Sequence, residues 1–321
     1  MRVGIQESIP PDLLKDFPAE AEIVRLPLVP SAPIAIDFWV MPVSRRAAEA
    51  QFAQLRGVKA AQSLMAGVDW ILPWLPKDIT LCDGRGVHDI PTAELALALM
   101  LASLKWIPQY RDAQMRQQWT GQFAIGGSFH ANNAEQPAAY LVLGDELHGK
   151  TVLIVGYGSI GAAIEARLAP FGVTVMRIAR NPRENPVVHT MADLPQLLPQ
   201  ADIVVIQLPL TTESRGSIGN DFFAQMKPGA LFINMARGPI VLTGALVDAL
   251  QSGHIHAALD VTDPEPLPAG HPLWSAPNCL IVPHVGGSTA AFLGRGLALA
   301  ARQVQHLLRN EPLENIVSNG Y

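Results

Sequence analysis

Short apolar runs separated by helix-forming segments organise the chain. Residues 2–5, 34–40, 58–64 and 79–82 read as short buried strands. Residues 44–56 carry helix formers, with Ser44 as cap and Ala47, Ala48, Phe52 and Leu55 on one face. The segment 65–69, Met-Ala-Gly-Val-Asp, is turn-like. Pro91 opens a helix that runs to about Leu104, since proline is tolerated in a first turn. The second half is sharper. Strands are predicted over 151–155, 173–178, 203–208, 231–235, 257–261 and 280–282. Helices are predicted over 162–170, ending before Gly172, and over 242–251, closed by Gly253. Strands alternating with helices predict parallel sheet, and from residue 151 onward a doubly wound α/β domain. Residues 119–146 break the alternation, because Trp119, Gly121, Gly126, Gly127, Asn132, Asn133 and Pro137 interrupt any period. So long a stretch is expected to be functional, or an arm on a partner subunit.

Composition narrows the class. A length of 321 residues suits two ordinary domains, and 49% hydrophobic against 16% charged residues leaves ample apolar surface for two cores. Net charge is −5 with both signs mixed, so neither nucleic acid nor an anionic membrane is expected as a main partner. Cys82 and Cys279 are the only cysteines, which argues against a disulfide scaffold or structural zinc and for a reducing, cytoplasmic setting. The N-terminus lacks the pattern of a secretory signal, and the apolar run 95–104 is too short to span a bilayer. The pair His254 and His256 has no evident third ligand, so no metal site is expected. Trp39, Trp70, Trp74 and Trp106 are expected to pack, with Trp39 or Trp74 as candidates for a pocket wall.

Gly156, Gly158 and Gly161 fit G-x-G-x-x-G between a strand and a helix. The first permits the tight turn, the second lets backbone approach a pyrophosphate, and the third lets the helix pack on the strand. An NAD site usually places Asp or Glu at the end of the second strand. That position falls near Ala179, with Arg180 next and Arg183 close by. An arginine can clamp a 2′-phosphate that a carboxylate would repel. NADP(H) is therefore favoured, with NAD(H) the alternative.

Three polar residues follow predicted strands farther on: Arg237, Glu265 and His284. Ligands in open α/β sheets bind at the carboxyl ends of strands, so all three are candidates for one cleft. An arginine fork suits a carboxylate, a histidine passes a proton near neutral pH, and a carboxylate beside it orients the ring. Singly, each has an ordinary explanation as surface ion pair, solvated loop residue or satisfied histidine. Beside a nucleotide loop, the set describes hydride transfer to a 2-keto acid.

The sequence resembles the D-isomer-specific 2-hydroxyacid dehydrogenase family. The carrying segments are Gly-Tyr-Gly-Ser-Ile-Gly (156–161), Asn-Met-Ala-Arg-Gly (234–238) and Ala-Leu-Asp-Val-Thr-Asp-Pro-Glu-Pro-Leu-Pro (258–268). They continue with His-Pro-Leu-Trp (271–274) and Pro-His-Val-Gly-Gly-Ser-Thr (283–289), and matches are looser at 66–69 and 92–94. The resemblance implies two similar doubly wound domains with the active site between them. Residues 1–90, completed by a C-terminal helix within 288–321, would form a flavodoxin-like substrate domain. Residues 91–287 would form a Rossmann cofactor domain that also builds a homodimer. His284 would be the acid/base, Glu265 its partner and Arg237 the substrate anchor. The amides around Met65, Ala66 and Gly67 would receive the substrate carboxylate. Ser159 and Ile160 would touch the pyrophosphate, Arg180 and Asn181 the adenosine ribose side, and Leu208 and Pro209 the cofactor's border. Met235 and Ala236 would flank the nicotinamide, Asp260 would hold its carboxamide, and Gly286 would also border the cofactor.

The resemblance points to a reductase of glyoxylate or hydroxypyruvate. A phosphoglycerate or bulkier D-2-hydroxyacid dehydrogenase is the alternative within the class, and a nucleotide-sensing corepressor-like protein the alternative outside it. The sequence departs from the family pattern at Ala179, in the length of the stretch between Trp119 and Leu147, and at Asp83, where many members carry asparagine.

Overall fold

The computed structural model describes residues 1–118 and 144–318. Most of the irregular 119–146 segment, residues 119–143, therefore lies outside the described residues. The chain divides into two compact units, Met1–Ile90 with Gly287–Tyr321, and Pro91–Gly286. Gly287 groups with the first unit, one residue earlier than the return expected at 288.

The first unit has seven strands: β1 (Arg2–Gln6), β2 (Glu22–Leu26), β3 (Ile34–Ala35), β4 (Phe38–Val40), β5 (Leu55–Arg56), β6 (Ala60–Gln62) and β7 (Thr80–Cys82). Five form one sheet in the order β2-β1-β4-β6-β7, every pairing parallel. This is the 2-1-3-4-5 order of flavodoxin-like folds. The expected single strand over 34–40 is divided instead. β3 pairs with β5 in a small separate sheet, because the chain turns at Asp37, whose carboxylate accepts from the Arg2 amide at 2.9 Å. β2 escapes the sequence pattern, since Glu22 and Arg25 interrupt its apolar run. Helix α1 (Arg45–Gln54) buries Ala47 and Ala48 as expected, and also Gln51, whose Oε1 accepts from Trp39 Nε1. Trp39 is fully buried and stacks on Phe52, so it packs the core. The C-terminal helix, Phe292–Leu308, closes the other face of the sheet with Leu297, Ala300 and Val304.

Helix α2 (Asp89–Leu104) starts two residues before the predicted proline start, and from Pro91 on it belongs to the second unit, followed by α3 (Ile107–Met115). The unit's main strands are β8 (Thr151–Val155), β9 (Thr174–Ile178), β12 (Ile203–Ile206), β13 (Leu231–Asn234), β14 (His256–Leu259) and β15 (Cys279–Ile281). A short antiparallel hairpin, β10 (Arg183–Glu184) and β11 (Val187–Val188), follows β9. The six strands lie in the order β15-β14-β13-β12-β8-β9, all parallel. β8 and β12 are near-continuous Val, Ile and Leu, as expected where helices cover both faces. The helices are α4 (Ser159–Leu168), α5 (Leu194–Leu197), α6 (Asn220–Gln225) and α7 (Thr243–Gln251). α4 starts at Ser159, three residues before the predicted start, and α6 was not anticipated. The strand order reverses between β8 and β12, which makes this a Rossmann-type sheet with its switch point at the glycine loop. Among the described residues, no single helix is long and apolar enough to cross a membrane.

Candidate active site

The glycine loop lies between β8 and α4, and its three glycines have different reasons to be glycine. Gly156 has φ +103°, and a Cβ there would meet the Gln207 carbonyl at 2.5 Å. A Cβ on Gly161 would sit 3.2 Å from Ile154 Cγ2, so α4 packs tightly on β8. Gly158 is exposed, and a Cβ there would meet no atom of the described residues within 4 Å. Nothing among the described residues demands glycine at 158, whereas a pyrophosphate approached by backbone would. Ser159 and Ile160 open α4, a ten-residue helix whose first amides suit an anion. Beside the loop, Gln207 Nε2 is buried without a hydrogen-bond partner among the described residues. The residues present fit a dinucleotide.

A braced side-chain cluster holds this loop. Glu165 on α4 accepts from Tyr157 Oη at 2.5 Å and from Arg177 Nε on β9 at 2.7 Å, and also pairs with Arg177 Nη2. The guanidinium holds the Glu165 carboxyl below its usual range, and burial pushes the Tyr157 phenol up. Arg180 and Asn181 are exposed just beyond β9, and Leu208 and Pro209 are half-buried after β12.

The catalytic candidates come from three adjacent strand ends: Arg237 after β13, Glu265 after β14 and His284 after β15. The His284 Nδ1 and Glu265 Oε1 atoms are 2.6 Å apart, with both side chains about two-fifths exposed. His284 has φ +54°, a left-handed conformation uncommon outside glycine. Asp260 holds it there. The Asp260 carbonyl accepts from the His284 amide at 2.7 Å, Oδ1 from Val285 N at 2.7 Å and Oδ2 from Gly286 N at 3.1 Å. Burial raises the Asp260 pKa, opposed by those amides and by His284. Asp260, the residue expected at the nicotinamide carboxamide, is also the anchor of the His284 turn. Gly286 is needed there, since a Cβ would lie 2.8 Å from Asp260 Oδ2 and 3.3 Å from Met235 Cε.

Arg237 is fixed by a residue not singled out from the sequence. Asn234, fully buried at the end of β13, accepts from the Ala236 amide at 3.0 Å and donates to the Arg237 carbonyl at 3.2 Å. A polar residue closing an apolar strand was the available signal. Gly238 follows, and a Cβ there would lie 1.9 Å from the Thr262 carbonyl oxygen. The loop bearing Arg237 is thus pressed against the loop that leads to Glu265. Met235 and Ala236 are buried within this turn.

In the first unit, Met65, Ala66 and Gly67 form a half-buried turn. The Met65 amide donates to Ser63 Oγ at 3.0 Å, and the Met65 carbonyl accepts from Gly84 at 2.9 Å. Met65's own amide is therefore committed within the chain. Asp83 is buried and accepts from Arg85 N and Nη2, each at 2.9 Å. His254 Nε2 lies 3.0 Å from the Phe223 carbonyl, and among the described residues no group of three His, Cys, Asp or Glu is placed to hold a metal.

Comparison with known proteins gives the family. Residues 97–286 match the family model described as D-isomer specific 2-hydroxyacid dehydrogenase, NAD binding domain. The chain is 31% identical to a glyoxylate/hydroxypyruvate reductase B of Salmonella paratyphi A, over 98% of this chain and 97% of that protein. It is 37% identical to a human glyoxylate reductase/hydroxypyruvate reductase over 69% of this chain, and that match spans 65% of the human protein. The crystal structure of an NADPH-dependent glyoxylate/hydroxypyruvate reductase from Sinorhizobium meliloti, in complex with NADP and sulfate, superposes with a TM-score of 0.78. Its identity is 25%, with 99% of this chain and 98% of that one covered. The chain belongs to the D-isomer specific 2-hydroxyacid dehydrogenase family.

Proposed function

We propose that this protein transfers hydride between NADP(H) and a small 2-keto acid or D-2-hydroxy acid, with glyoxylate and hydroxypyruvate as the leading substrates. The observation that carries this proposal is the 2.6 Å contact of His284 Nδ1 with Glu265, beside Arg237 on the next strands and on the same sheet as the glycine loop. An ionised carboxylate only accepts, so Nδ1 carries the proton of that bond, and Nε2 is the nitrogen left to exchange a proton with substrate. In the reductive direction the His284 imidazolium gives its Nε2 proton to the carbonyl oxygen, and Glu265 balances the ring charge. Arg237 offers a planar fork to the substrate carboxylate and stabilises the developing alkoxide. A bound reduced nicotinamide supplies the hydride. The Met65–Gly67 turn would take the substrate carboxylate.

On the cofactor side, the amides of Ser159 and Ile160 would receive the pyrophosphate. Arg180 would hold the 2′-phosphate, helped by the lack of any acid between Ile178 and Arg183. Asn181, Leu208, Pro209, Met235, Ala236, Asp260 and Gly286 would border the rest of the dinucleotide. The NADP bound to the Sinorhizobium relative supports this order of preference. We place the protein in the cytoplasm as a homodimer built through the cofactor unit. Ile107, Tyr110 and Met115, all exposed on α3, support that surface.

A spectrophotometric panel of 2-keto acids, run in parallel with NADPH and NADH, tests this proposal. Turnover of glyoxylate or hydroxypyruvate, faster with NADPH, is the expected result. Nucleotide binding without turnover of any keto acid would instead indicate a nucleotide-sensing protein.

A further inference from the structure

Two arginines follow β9, and the sequence offers both to a 2′-phosphate. The structure separates them. Arg180 is exposed just past the strand, while Arg183, on β10, turns back to the glycine loop. Arg183 Nη2 donates to the Tyr157 carbonyl at 2.7 Å, and its guanidinium carbon lies 5.2 Å from the centre of the Tyr157 ring. The ring is held on its other side of the network by its own hydroxyl on Glu165, and Arg177 also lies near the ring at 5.6 Å.

We infer that Arg183 is a positioning residue for the glycine loop rather than a ligand of the 2′-phosphate. This rests on the dinucleotide reading above and assigns a separate task to one of its residues. The bond to the Tyr157 carbonyl fixes the plane of the Tyr157–Gly158 peptide. The other end of that peptide is the Gly158 N–H, which donates to Gly156 O at 2.8 Å and closes the turn. Gly158 is the exposed glycine whose bare Cα admits a pyrophosphate. Arg183 therefore acts on a part of the cofactor that NADPH and NADH share. The Tyr157 ring gives the guanidinium a flat face to rest on, and the charge-assisted bond sets its direction. Arg180, exposed just past β9, is the arginine assigned to tell the two cofactors apart.

The test measures dissociation constants of NADPH and NADH, by calorimetry, on the full chain carrying Arg183→Ala, Arg183→Lys or Tyr157→Leu. With Arg183→Ala, both affinities are expected to fall together, by roughly tenfold, and their ratio to stay within about twofold of the starting protein. Arg183→Lys keeps the charge but loses the fork and the flat stack, so it is expected to rescue only part of the loss. Tyr157→Leu is expected to weaken both cofactors and to shrink the further effect of Arg183→Ala. A loss confined to NADPH would overturn the inference and make Arg183 a phosphate ligand, and so would unchanged binding of both. If the unmodified chain binds neither nucleotide, the dinucleotide reading itself falls, a result distinct from either of these.

Discussion

The two edges of the larger sheet solve different problems with different materials. At β8 and β9 the glycine loop is shaped by backbone and by the absence of side chains, and a partly buried ionic network beside it holds it. At β13 to β15 the reactive groups are side chains, and buried polar residues hold the backbone beneath them. Asn234 bonds the turn before Arg237, and Asp260 bonds the turn that carries His284 in its left-handed conformation. The first edge is built to be approached by a common ligand. The second is built so that three reactive groups cannot drift, at the expense of burying an amide and a carboxylate that must stay satisfied.

On this division, replacing a reactive side chain at the catalytic edge alters turnover more than nucleotide binding. His284→Gln is the largest such case. It removes the transferable proton while roughly preserving size, so kcat is expected to fall by about 10²–10⁴-fold. NADPH affinity and the thermal midpoint should be close to unchanged. Steady-state kinetics beside calorimetric binding would check it, and a near-normal kcat would remove His284 from the chemistry.

The opposite case sharpens the nucleotide edge. Arg180→Ala is expected to weaken NADPH by roughly ten- to a hundredfold, the size of one charge-assisted contact, with little change for NADH. Measured beside Arg183→Ala, it divides selectivity from loop support. Equal losses of both cofactors with Arg180→Ala would leave the preference for NADP(H) without a residue to carry it.

The contrast between edges also explains what was legible in the sequence. The glycine loop could be identified because its requirements fall on consecutive residues, each imposed by its neighbours within a strand-turn-helix. Arg237, Glu265 and His284 could be nominated because each follows an apolar run. Their supports could not, since Asn234 acts on the turn ahead of it and Asp260 acts across to residues 284–286. Gly238 looks like any turn glycine until Thr262 is seen against it. In the first unit, β2 is a strand because β1 offers it five paired positions, a fact its own residues do not carry. Arg183 is a further case, since its proximity in sequence to Arg180 does not reveal that its side chain turns back to the Tyr157 carbonyl.

The smallest effect is expected at Glu165, and it tests whether the outer network supports the fold or the chemistry. Its carboxyl is three-quarters buried, and Arg177 lowers its pKa below the ordinary 4.5. A depressed carboxylate stabilises the native state when ionised. That contribution is fully present above about pH 4.5 and is lost as pH falls through the lower native value. Glu165→Gln should therefore cost about 1–2 kcal/mol at pH 7, where the charged pair is lost but the side chain still fits. The gap from the unmodified protein should close as the pH of denaturant titrations is lowered through the acid range. kcat should stay unchanged at pH 7, because Glu165 lies on the nucleotide edge. A gap that persists at low pH would mean that packing, and not the ionised pair with Arg177, is what Glu165 supplies to the loop.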